Sequence, residues 1–98
     1  MRAAKVDSNH AAVVSALRAA GARVESLAGV GHGVPDLLVG VPGTKRLALF
    51  EVKDGDKCKS AQKLTPAQVQ WHSKWDGFPI CTVDSPEAAL RHLKVLQS

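Results

Sequence analysis

The sequence predicts an α/β domain of the α+β kind, one domain spanning residues 1–98, with its elements in the order α-β-β-β-α-β-α. Three observations lead there. Ninety-eight residues that are 45% hydrophobic and 22% charged suffice for one core and no more. Apolar positions recur at helical spacing near both ends and once in between, while the stretches separating them are short apolar runs. Glycine and proline punctuate those runs at every junction.

Each element has its own signal. Asp7 or Ser8 can cap a first helix over about residues 8–20, where Val13, Ala16, Leu17 and Ala20 share a face and Gly21 offers a left-handed stop. Residues 23–28 alternate and read as a strand, followed by the glycine-rich GVGHGVP. DLLVGV, bounded by Pro35 and by Pro42 with Gly43, reads as a buried strand, and LALFEVK over 47–53 as a third. Short links between them predict an antiparallel meander. Residues 54–63 (DGDKCKSAQK) lack a period and read as a mobile loop. The second helix has the strongest start: Thr65 as N-cap, Pro66 at the first helical position, Gln68 closing a capping box, and Leu64 able to staple onto Val69. It ends in a glycine-containing turn near residues 75–78, before a short strand PICTV over 79–83. Ser85, Pro86 and Glu87 open a last helix with Ala89, Leu90, Leu93 and Leu96 on its buried side.

Composition narrows the function classes. No apolar run approaches the roughly 18 residues of a membrane span, and MRAAKVDSNH has no signal-peptide core, so a cytoplasmic protein is expected. Cys58 and Cys81 are too far apart, and too far from histidines at ligand spacing, for a zinc site or a disulfide framework; both are expected as free thiols. A chain of this size has no room for a large organic cofactor. The balance of 13 Lys and Arg against 9 Asp and Glu, net +4, favours an anionic partner. With 4% aromatics there is no base-stacking platform, so a nucleic-acid partner would be held by its backbone.

The chemistry concentrates at Pro35-Asp36 and at Glu51, Val52 and Lys53. Strand side chains alternate, so Glu51 and Lys53 share a face while Val52 points away, and a hairpin can bring Asp36 beside Glu51. Two converging carboxylates repel unless a cation lies between them. Mg²⁺, with Mn²⁺ as substitute, needs only one or two protein carboxylates plus phosphate oxygens and suits this supply. Lys53 would orient or help deprotonate the attacking water, or neutralise charge building on a phosphoryl group. The competing readings are plain ones: Asp36 as a turn former, Glu51 and Lys53 as an exposed strand pair, Gln68 as a capping glutamine only.

GVPDLLVG followed by LFEVK resembles the PD-(D/E)XK nuclease superfamily, and LTPAQVQW over residues 64–71 resembles the S/T-P-x-Q segment of its VRR-NUC branch, which includes small phage and bacterial nucleases. The resemblance runs from the first helix to the last strand. It implies a restriction-endonuclease-like core with a mixed central sheet flanked by helices, and metal-dependent hydrolysis of DNA phosphodiesters. It assigns the metal to Asp36, Glu51 and the Val52 carbonyl, makes Lys53 the catalytic lysine, and gives Gln68 a supporting or phosphate-contacting role. Many members carry a glutamate on the first helix. This chain has none there, leaving Asp7, Asn9 and His10 as the polar candidates near its start.

His32, in a glycine-flanked loop, reads either as a DNA contact or as an exposed loop residue; Lys57, Lys59 and Lys63 read either as backbone contacts or as solvated lysines. His10, His72 and His92 are expected on surfaces or helix faces, and Trp71 with Trp75 in the core or a subunit interface. The expected protein is a homodimeric, Mg²⁺-dependent DNA endonuclease of a bacterial cell or phage, resembling Holliday junction resolvases and selecting branched or four-way junction DNA by shape. The alternative is a catalytically inactive DNA-binding or assembly module on the same scaffold.

Overall fold

The structure is a computed structural model that describes residues 8–53 and 63–98. The sequence-based expectations for Asp7, Lys57, Lys59, Cys58 and the loop over 54–62 lie outside the described residues. The elements are α1 (Ser8–Ala19), β1 (Arg23–Ser26), β2 (Leu37–Gly40), β3 (Leu47–Val52), α2 (Pro66–Lys74), β4 (Ile80–Val83) and α3 (Pro86–Gln97). This is a small mixed α+β protein, with three helices and a four-stranded mixed sheet among the described residues.

The strands lie in the order β1-β2-β3-β4, the first three antiparallel and β4 parallel to β3. The expected meander is therefore present. A parallel neighbour needs a crossover, and the segment carrying α2 supplies it. Alternation sends Val24, Leu37, Val39, Ala48, Phe50, Val52 and Val83 into one core with Val13 and Leu17 of α1 and Ala88, Ala89 and Leu93 of α3. Phe50 meets His92 edge to face, with ring centroids 6.2 Å apart, which ties α3 to the middle of β3.

Gly21, at φ +96°, stops α1 as its position suggests. Three expectations need correction. β1 ends at Ser26 and not at 28: the Leu27 amide makes the last bond in register with β2, to the Asp36 carbonyl (2.6 Å), after which the Ala28 amide donates to Ser26 Oγ (3.3 Å) and the Val30 amide to the Leu27 carbonyl (2.9 Å), which turns the chain. Leu90 is exposed: it lies a quarter turn off the line of Ala89, Leu93 and Leu96 that faces the core. Of the two places expected for Trp71 and Trp75, the core is excluded: Trp71 of α2 is half-buried and stacks at 5.1 Å and 11° on Trp75, the exposed residue that caps the helix.

Candidate active site at the Asp36–Glu51 strand ends

The register of β2 and β3 builds the site. Leu37 lies opposite Phe50, so one further step along the antiparallel pair sets Asp36 opposite Glu51, on the face away from Phe50. β2 begins only at Leu37, and the Asp36 side chain takes over where its ladder ends: Oδ2 accepts from the Val52 amide at 2.8 Å. A buried amide would otherwise lack a partner. Successive residues of a strand direct their backbone groups to opposite edges, so the Val52 carbonyl lies on the Asp36 edge too. The Lys53 amide, by the same rule, faces β4 and donates to the Val83 carbonyl (2.8 Å).

Glu51 is 1% exposed and is the only charged residue buried among those described. Gln68 Nε2 donates to its Oε2 at 3.1 Å, while Oε1 receives no nitrogen or hydroxyl donor among the described residues, leaving it the proton shared with the Asp36 carboxyl. Burial, first, and then the hydrogen bond and charge of the neighbouring Asp36 carboxyl push the Glu51 carboxyl up from 4.5 to about 8, against the lowering pull of the Lys53 ammonium. At neutral pH, Glu51 thus carries a proton that an opposite charge could replace.

Gln68 joins the site to α2. Its Oε1 accepts from Lys53 Nζ (2.9 Å) and from the Thr65 amide (2.8 Å), while its own amide donates to Thr65 Oγ1 at 3.2 Å. The capping and site readings of this residue hold together: the oxygen that completes the box also receives the lysine. Glu51 and Lys53 both reach Gln68, which places them on one face, as alternation requires.

The remaining sequence candidates are spread differently. Asn9 Nδ2 donates to the carbonyls of Lys53 (2.6 Å) and Asp84 (3.0 Å), clamping the ends of β3 and β4 to the start of α1. His10 is half-buried with its Nε2 lacking a partner among the described residues. Neither adds a carboxylate, and among the described residues no three His, Cys, Asp or Glu side chains converge. His32 is exposed, at φ +59° between Gly31 and Gly33; Lys63 is also exposed. Cys81 is a free, half-buried thiol whose pKa burial raises.

Sequence reasoning missed His72 and Gly33. His72 follows Gln68 by four residues, a same-face spacing that was the available signal. Burial and then the Lys53 charge lower its pKa, and its Nε2 is buried without a partner among the described residues, so an uncharged imidazole lies near the lysine. Gly33 packs against the Ala67 backbone, beside Gln68.

Among the described residues, no helix is long and apolar enough to cross a membrane. No family model matches the chain, and neither curated proteins nor solved structures give a match.

Proposed function

We propose that this chain is a Mg²⁺-dependent DNA endonuclease, a VRR-NUC-like member of the PD-(D/E)XK superfamily that hydrolyses phosphodiesters in branched DNA. The observation that carries it is the Asp36 and Glu51 pair sharing one corner, Glu51 buried and Asp36 half-buried, with Lys53 joined to Glu51 through Gln68. The order α-β-β-β-α-β with three antiparallel strands and a parallel fourth agrees with the restriction-endonuclease-like core that the sequence resemblance implies.

The donor set fits a hard cation. Glu51 Oε1 is buried and takes no nitrogen or hydroxyl donor among the described residues, the adjacent Asp36 carboxyl offers further oxygens, and the Val52 carbonyl lies on the same edge. These residues would hold the ion, with the Val83-bound Lys53 amide and the Asn9 clamp fixing the backbone beneath them. When bound, Mg²⁺ supplies Lewis-acid activation of water and neutralises phosphate charge. Lys53 brings an ammonium to the face where phosphate charge would build, and the Gln68 amide bridges that ammonium to the Glu51 carboxyl.

The test is nicking of four-way junction and linear duplex DNA with Mg²⁺, Mn²⁺ or EDTA. Cleavage with either ion, faster on the junction and absent in EDTA, is expected; equal cleavage in EDTA would overturn the metal assignment. Asp36→Ala, Glu51→Ala and Lys53→Ala should each lower turnover at least about 10²-fold, since one preorganised electrostatic group commonly contributes that much. A second reading, a non-catalytic DNA-binding module, is favoured by the absence of a third converging acidic or imidazole group among the described residues. It predicts DNA binding without turnover and no Mn²⁺ binding heat by calorimetry.

A further inference from the structure

None of the nine residues of α2 is buried, so apolar burial does not hold this helix over the site as it holds α1 and α3. Besides the Gln68 bonds to Glu51 and Lys53, what touches it is the loop before β2. Gly31, His32 and Gly33 are left-handed in succession, at φ +73°, +59° and +83°. A non-glycine residue in that region is uncommon, and surrounding contacts must maintain it. The contact is at Gly33: a β-carbon there would run into the Ala67 carbonyl oxygen and sit 2.6 Å from its carbon and 3.0 Å from the Gln68 amide nitrogen. The loop backbone therefore lies directly on the first turn of α2.

We infer that Gly33 is a positioning residue, a latch whose missing side chain lets the loop before Asp36 seat α2 so that Gln68 reaches Glu51 and Lys53 together. The inference deepens the proposed function and rests on it only for its kinetic readout. Any side chain at 33 must displace α2 from the loop, because what it meets is backbone and cannot rotate away. The Gln68–Glu51 bond is already 3.1 Å and Lys53–Gln68 is 2.9 Å, so a shift of about 1 Å breaks both. Displacements of that size can cost a reaction about 10²-fold. Gly31 provides the matched control. It has a similar backbone conformation, φ +73°, yet a β-carbon there meets nothing within 4 Å.

The experiment compares Gly33→Ala, Gly31→Ala, Gln68→Ala and the Gly33→Ala/Gln68→Ala double variant by junction-nicking kcat and by ¹⁵N NMR of the Gln68 side-chain amide. Gly33→Ala should lose about 10²-fold in kcat and shift the Gln68 amide resonances toward free-glutamine values, while Gly31→Ala leaves both near wild type. The double variant should be no slower than Gln68→Ala alone, since the latch acts through that residue. Losses that multiply, an unmoved Gln68 amide in Gly33→Ala, equal damage from Gly31→Ala, or global unfolding of Gly33→Ala, each overturn a local latch. The NMR readout needs no cleavage: a wild type that cuts nothing, with the Gln68 signal still lost in Gly33→Ala, sinks the nuclease reading and leaves the latch standing.

Discussion

Glu51 carries the least ordinary electrostatics among the described residues. Its folded pKa of about 8 lies above the ordinary value of 4.5, so between those limits the folded state holds a proton that the unfolded state has lost. Stability therefore falls as pH rises through that window, and the penalty is complete above about 8. Glu51→Gln removes the titration while keeping the shape and the acceptor for Gln68. Its thermal midpoint should equal or slightly exceed wild type at pH 5 and exceed it by several degrees at pH 8.5; a gap that does not widen with pH contradicts the raised pKa. Three of the site residues were legible in the sequence because period-two alternation and a hairpin register need only local information: Asp36, Glu51 and Lys53 follow from them. Gly33 and His72 were not, because their roles arise from where α2 comes to rest, which no local pattern encodes.

α2 shows how an element can be strongly specified at its start and weakly held along its length. The Thr65 hydroxyl, Pro66 and Gln68 define its first turn, as the capping box suggested, yet Val69 and Trp75 remain exposed. The apolar residues that made it look like a packed helix instead stack on one another, Trp71 on Trp75 and Trp75 edge to face with Phe78 at 5.2 Å. Helical periodicity reports that a face exists and is silent on what covers it. The strand ends were misjudged for a related reason: side-chain and turn bonds at Ser26 and Asp36 replace ladder bonds where the pattern still looked extended. Thr65→Ala should cost about 1 kcal/mol, the usual value of an N-cap. With no buried residue in α2, that loss should appear as faster amide exchange within 66–74, while amides of β2 and β3 keep their protection. Equal acceleration across the sheet would mean that α2 belongs to the main cooperative unit.

On the scale of the whole molecule, one face of the sheet is closed by α1 and α3, and the other ends in an acidic corner on a chain of net charge +4. A basic protein that buries a carboxyl beside another carboxyl accepts a folding penalty at neutral pH, and a cation taken up there would relieve it. Ion and proton compete for the same oxygens. Below pH 8 each bound ion must displace the proton on Glu51, so apparent Mn²⁺ affinity should rise about tenfold per pH unit between pH 6 and 7.5 and level off near 8. Because binding to the folded state alone stabilises it by mass action, the same dependence should appear in melting: millimolar Mn²⁺ raises the midpoint more at pH 8 than at pH 6, and EDTA returns it to the ion-free value. Glu51→Gln should abolish the increment at both pH values. A Mn²⁺ increment that is the same at pH 6 and pH 8, or that survives Glu51→Gln, would place the ion elsewhere and leave the Asp36–Glu51 carboxyl pair without the partner assigned to it.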